Sequence, residues 1–150
     1  YTGNPVRPDV LVDSRVEGRK HFGLSDDIFT VLIAGGSRGA RTINNAMIDV
    51  HKHFQGKDGI KLIHITGNGE YTSVLEKLGI NDGSGLGESS LILPYLHDMP
   101  KALAATDLVL SVLLNWQYEV FHLYWCHIHM QQNIIKRIML ASLYKREQHI

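Results

Sequence analysis

A single cysteine stands in 150 residues, so no disulfide framework can hold this fold, and the thiol count matches a reducing compartment. Charge of one sign is lacking as well: 15 basic and 15 acidic residues give a formal net charge of +0. A chain without a basic field has no electrostatic footprint for nucleic acid, and none is expected as a partner. No apolar run is long enough to cross a bilayer, and no secretory signal pattern is visible. Proline is scarce, at 4 residues, and neither it nor any of the 14 glycines occurs from Val112 onward. What is present suffices for one domain with a real core. The chain opens Tyr1-Thr2-Gly3 without an initiator Met, and is expected to be a fragment without its N-terminal part.

The most informative stretch is Thr30-Val31-Leu32-Ile33-Ala34-Gly35-Gly36-Ser37-Arg38-Gly39-Ala40. An apolar run stops at two glycines and a helical pattern follows, which predicts strand, tight turn and helix start. Amides at a helix start are unpaired and the helix dipole adds partial positive charge there, so the place suits a phosphate or diphosphate. Glycines let such a ligand approach the backbone. The loop is no Walker A motif, since no Gly-Lys-Ser/Thr closes it, and its G-G-x-x-G spacing departs from the dinucleotide fingerprint. Taken alone it admits two readings, a phosphate cradle and a plain βα turn.

Residues 1–29 read as an interdomain linker leading into the domain, with Pro5 and Pro8 biasing their neighbours away from helix. From there strands and helices alternate. Strands are predicted at Phe29 to Ala34, Lys61 to Thr66, Leu91 to Leu93 and Leu108 to Leu110. Ile43, Met47, Val50 and Phe54 form one helical stripe, and Tyr71, Val74, Leu75 and Leu78 a second that stops at Gly79. Asn81 to Ser90 reads as a polar, glycine-rich loop. A short helix covers Asp98 to Ala105, with Asp98 as N-cap and Pro100 in its first turn. His97 and Asp98 admit acid–base chemistry, but capping is the preferred reading. His64 falls in a buried strand and reads as a satisfied core residue. The alternation predicts an α/β domain, a Rossmann-like parallel sheet over residues 30–111. Ligands of such sheets sit outside the carboxyl ends of the strands. The Gly35–Gly39 loop, the Thr66–Gly69 turn and the Pro94–Asp98 turn therefore share one edge, which favours the phosphate reading.

Five motifs then occur in order: Thr2-Gly3-Asn4-Pro5-Val6-Arg7, Gly35-Gly36-Ser37-x-Gly39-Ala40, His64-x-Thr66-Gly67, Pro94-Tyr95-Leu96-x-Asp98-Met99 and Ala104-Ala105-x-Asp107-Leu108-Val109-x-Ser111. Together they resemble the C-terminal domain of the MurG family of glycosyltransferases, glycosyltransferase family 28, over residues 1–111. The resemblance implies an incomplete C-terminal domain of a GT-B enzyme. Such an enzyme takes UDP-GlcNAc and passes its sugar to undecaprenyl-diphospho-muramoyl-pentapeptide in peptidoglycan synthesis, at the cytoplasmic face of the inner membrane. By motif, Arg7 matches a UDP-contacting arginine, Ser37 a diphosphate-contacting serine and Leu96 an aliphatic residue beside the uracil. Gly35, Gly36, Arg38 and Gly39 complete the donor loop. No catalytic residue, metal or cofactor is implied within this chain. The acceptor and the catalytic base would belong to a preceding domain, so the fragment alone is expected not to turn over. Two other readings stay open: a related nucleotide-sugar transferase with another lipid acceptor, and a non-enzymatic module acting through its tail.

That tail, residues 112–150, departs from the family. It holds both Trp and the only Cys, and no Asp follows Asp107. Permitted codons for Glu119 to His129, read one base earlier, spell Gly-Ile-Pro-Ser-Ile-Leu-Val-Pro-Tyr-Pro, similar to the family's continuation. The tail is therefore expected to be a frame-shift product, lacking the family's acidic ribose ligand and sugar-gripping glutamine. His122, Cys126, His127 and His129 have the look of a metal cluster, which under this reading is an accident of frame.

Overall fold

The computed structural model describes residues 14–35 and 40–111. Eight elements follow in order: α1 (Arg15–His21), β1 (Phe29–Ala34), α2 (Arg41–Phe54), β2 (Ile60–Ile65), α3 (Tyr71–Leu78), β3 (Ser90–Leu93), α4 (Met99–Ala105) and β4 (Leu108–Ser111). The four strands form one parallel sheet in the order β3-β2-β1-β4. The expected α/β architecture is thus present, with each strand edge within a residue of its predicted position.

Alternation along the strands divides the core into two faces, because successive side chains point to opposite sides of a sheet. Val31 and Ile33 of β1, Leu62 of β2 and Leu108 and Leu110 of β4 meet the α2 stripe of Ile43, Met47, Val50 and Phe54. Ile92 of β3 lies beneath Val74, Leu75 and Leu78 of α3 on that same side, joined by Leu86 from the glycine-rich loop. Leu32, Ala34, Ile63 and Ile65 point the other way, onto Ala102 and Leu103 of α4. Burial on both faces explains why the β1 run from Val31 to Ala34 is continuously apolar rather than alternating.

Helix α1 lies within the stretch read from sequence as linker. Ser14 and Glu17 close a capping box at its start, Glu17 N–H donating to Ser14 Oγ at 3.2 Å and Ser14 N–H to Glu17 Oε2 at 3.3 Å. The helix packs on α4 at Gly18, where a Cβ would stand 2.6 Å from the Lys101 carbonyl oxygen and 2.9 Å from the Ala105 nitrogen. Only a residue without a side chain permits that approach.

Arg19, the next residue, is 2% exposed. Its guanidinium donates to the carbonyls of Ala105 at 3.2 Å and Ile28 at 2.6 Å, and to that of Ser25. The carboxylate of Asp107 stands 3.7 Å away. Asp107 also accepts the Thr30 N–H at 2.8 Å and pairs with Arg15 at 2.7 Å. The motif aspartate therefore fastens the amino-terminal ends of β1 and β4, with α1 clamped beneath them.

Asp98 stands at the N-cap position of α4, but its side chain makes no capping bond, which corrects the capping role expected for it. An N-cap side chain serves the amide of the second or third helical residue, and the second here is Pro100, which has none. The carboxylate instead lies 3.5 Å from His21 Nε2 and 3.9 Å from Lys101 Nζ. No helix among the described residues is long and apolar enough to cross a membrane.

Candidate nucleotide-sugar site

The register places Ser111, Ala34, Ile65 and Leu93 side by side across the sheet. The four strands end level, and the residues that follow three of them, Gly35, Thr66 and Pro94, open the three loops expected to share an edge. After β3 the chain crosses back to place β4 beside β1, so the strand order reverses between β1 and β4. In open parallel sheets the ligand crevice lies at that reversal. The glycine loop leaves β1 directly beside it.

Helix α2 begins at Arg41 with Ala40 as N-cap, whose methyl side chain makes no capping bond. Among the described residues, then, its dipole and first-turn amides have no capping side chain. Arg41 reaches from this helix start to Glu70 at the start of α3, its Nε and Nη2 both donating to Glu70 Oε1, at 3.0 Å and 2.9 Å. The hydrogen bond from Arg41 holds the Glu70 carboxyl below its ordinary range. Gly67, with φ of 84°, turns the chain after β2 through a region that side chains disfavour. Leu96 sits half-buried against the face formed by Leu32, Ile63 and Ile65, so its side chain anchors the Pro94–Asp98 turn while Tyr95 is 50% exposed beside it.

Beneath this edge runs a buried polar line. Asn44 and His51 lie two turns apart on α2, next to its apolar stripe, and both are buried. Asn44 Nδ2 donates to the Thr66 carbonyl at 2.9 Å. His64 Nε2 lies 3.0 Å from Asn44 Oδ1, His51 Nε2 lies 3.0 Å from His64 Nδ1, and Ser90 Oγ lies 2.9 Å from His51 Nδ1. A carbonyl only accepts, so the asparagine nitrogen must face Thr66 and its oxygen must face His64. His64 then donates from Nε2 and accepts at Nδ1, His51 donates from Nε2 and accepts at Nδ1, and the Ser90 hydroxyl donates. With both imidazoles neutral, this is the one direction that satisfies every group. Burial enforces that state: it pushes His51 down to about 4, and pushes His64 well below its ordinary value with the neighbouring His51 adding to the effect.

Of the residues expected at the site, Gly35 and Leu96 fall among the described residues and lie on the predicted edge. Arg7, Gly36, Ser37, Arg38 and Gly39 lie outside them, as do residues 112–150 with the proposed frame shift and the His122, Cys126, His127 and His129 cluster. Among the described residues no three His, Cys, Asp or Glu side chains are grouped to hold a metal ion. His64 is the satisfied core residue expected of it. Asn44, His51, Ser90, Arg41 and Glu70 carried no sequence expectation. Asn44 and His51 are seven residues apart on a helix whose neighbouring positions are apolar, and that spacing was the available signal.

Comparison with known proteins agrees with this architecture. Two curated relatives bear the name UDP-N-acetylglucosamine--N-acetylmuramyl-(pentapeptide) pyrophosphoryl-undecaprenol N-acetylglucosamine transferase. The protein from Desulfitobacterium hafniense is 45% identical over 107 residues, 71% of this chain and 29% of its own length. That from Desulforudis audaxviator is 39% identical over 110 residues, 73% of this chain and 30% of its own. The chain therefore spans under a third of the length of the curated relatives it matches. The crystal structure of Acinetobacter baumannii MurG superposes with a TM-score of 0.57 at 16% identity, over 95% of this chain and 48% of that one, a likeness of fold. The model of the glycosyltransferase family 28 C-terminal domain matches residues 30–111, from the first strand of the sheet to the last, and the chain belongs to that family.

Proposed function

We propose that this chain is the donor-binding part of a glycosyltransferase that carries N-acetylglucosamine from UDP-GlcNAc to undecaprenyl-diphospho-muramoyl-pentapeptide. The observation that carries the reading is the level carboxyl edge, where the glycine loop opens onto the strand-order reversal between β1 and β4. Family membership and the names of the relatives support the choice of donor and acceptor.

In this reading the diphosphate sits over the start of α2, where Gly35, Gly36 and Gly39 allow close approach and Ser37 and Arg38 add a hydroxyl and a cation. Arg7, a planar and permanently charged donor, reaches the nucleotide from the linker. Leu96 sets the turn beside the base, whose edge is read by backbone groups. The acceptor and the catalytic base belong to a preceding domain, and the lipid acceptor brings the whole enzyme to the cytoplasmic face of the membrane. The tail 112–150, read as out of frame, supplies no sugar contact.

Calorimetric titration of the full 150-residue chain with UDP-GlcNAc tests the donor half of this reading. Saturable binding is expected, weakened about tenfold or more by Arg7→Ala and by Ser37→Ala, since each removes a hydrogen bond to a charged group. No binding heat at millimolar donor would overturn it. With lipid acceptor added, the chain alone is expected to release no glycosylated product, and turnover would refute the division of labour.

A further inference from the structure

We propose that Asn44 is a positioning residue for the nucleotide-sugar site, with His51 and His64 as the neutral line that holds it in place. The inference rests on the donor site proposed above, but its geometry stands on its own. Asn44 ties the start of α2 to the second and third edge loops. It stands in the first turn of the helix, its backbone N–H making the ordinary first helical bond to the Ala40 carbonyl at 2.9 Å. Its side-chain nitrogen donates to the Thr66 carbonyl, at the head of the second loop. Thr66 in turn donates from its N–H at 2.9 Å and its hydroxyl at 3.3 Å to the Leu93 carbonyl, the last strand residue before the third loop.

A core asparagine has several rotamers and two amide orientations, and a wrong choice would break both side-chain bonds. The choice here is made at both sides of the amide: the Thr66 carbonyl can only accept, so it takes the asparagine nitrogen, and the asparagine oxygen takes the His64 Nε2–H, with His51 and Ser90 continuing the same direction behind it. All of these groups are buried, so water offers no substitute partner and a broken bond leaves an orphaned polar atom. Among the described residues each imidazole faces the other as its one titratable neighbour; Asn44, Ser90 and Thr66 carry no charge. Four hydrogen bonds of fixed direction thus set the distance between the start of α2 and the end of β2, across which a diphosphate and its nucleoside would lie.

The test is nitrogen-15 NMR of the full chain, read with and without UDP-GlcNAc. In the unsubstituted protein at neutral pH both imidazoles are expected neutral and protonated at Nε2. Another tautomer or a charged ring would overturn the proposal without any substitution. Asn44→Asp keeps the acceptor for His64 and removes the donor to Thr66, and Asn44→Ser removes both bonds without burying a charge. In whichever of these folds, the amides of Ala40, Thr66, Gly67 and Tyr95 are expected to move and the donor Kd to rise about tenfold, the equivalent of one hydrogen bond. A variant with a lowered melting temperature but unmoved loop amides would refute positioning, as would an unchanged donor Kd, because a purely stabilising role predicts that pattern. If the unsubstituted chain binds no donor, the proposed function fails while tautomers and loop amides still decide this inference.

Discussion

The two ends of the sheet are held by opposite means. At the amino-terminal ends of the strands, Arg15, Arg19 and Asp107 join α1, β1 and β4 through charge. Towards the carboxyl ends, a line running from Ser90 at the start of β3 through His51, His64 and Asn44 to Thr66 after β2 joins β3, α2 and β2 through neutral groups that share protons in one direction. A charged cluster tolerates imperfect geometry, since Coulomb attraction falls off slowly with distance. A directed neutral line tolerates none, because each group must be the right tautomer at hydrogen-bond distance. The fold is fastened by charge where nothing has to be aligned, and by directed bonds beneath the edge where loops must be.

The largest effect that could break this contrast is loss of Arg19. Arg19→Ala would leave the carbonyls of Ala105, Ser25 and Ile28 without the guanidinium donor and Asp107 with Arg15 as its remaining cation. Denaturant unfolding should register a loss of about 3–5 kcal/mol. Arg19→Lys should recover only part of it, since an ammonium cannot reproduce the planar fork. A loss well under 1 kcal/mol would show that the charged end is not the fastening described.

The next effect is acid lability of the neutral line. Both histidines are depressed below the ordinary value of 6.5 in the folded chain, His51 to about 4. The unfolded chain therefore binds more protons between those values. The stabilisation is complete above pH 6.5 and is lost as pH falls towards 4, by about 1.4 kcal/mol per unit for each imidazole. Unfolding midpoints from pH 7.5 to 5.0 should fall accordingly. A flat profile, or a rise on acidification, would mean that the pair is not held neutral.

The smallest effect sharpens the comparison at the surface. The Arg41–Glu70 pair also joins two elements at the carboxyl edge, but Arg41 is 77% exposed. Exposed pairs of this kind add little to stability and are screened by salt. Glu70→Gln should leave the melting temperature unchanged, while a marked fall would place a fastening charge at the wrong end of the sheet.

Much of this was legible in the sequence because apolar periodicity and glycine stops report on burial directly. The run ending at Ala34 is continuous since both sheet faces are covered there, and the α2 and α3 stripes face the core they predict. His64 could be placed as a satisfied core residue from its strand alone. Helix α1 was not legible from periodicity: its one apolar aliphatic residue, Val16, is 75% exposed, and the helix is held by Gly18 and by a buried arginine rather than by an apolar face. The Ser14-x-x-Glu17 capping signature was the trace it left. The site was legible as three loops on one edge but not as the support beneath them. A polar residue on a helix gives no sign, without its partners, of whether it faces water or another polar group, and the partners of Asn44 come from residues 20 and 22 positions away.

The central claim, that the carboxyl edge at the strand-order reversal takes the nucleotide sugar, is tested most directly by mapping amide shifts of the full chain on saturation with UDP-GlcNAc. The account predicts shifts concentrated in 35–41, 66–70 and 94–98, with the Thr30 and Asp107 end unmoved. Saturable binding that moves the amino-terminal end instead, or no movement at any of the three loops, would contradict it.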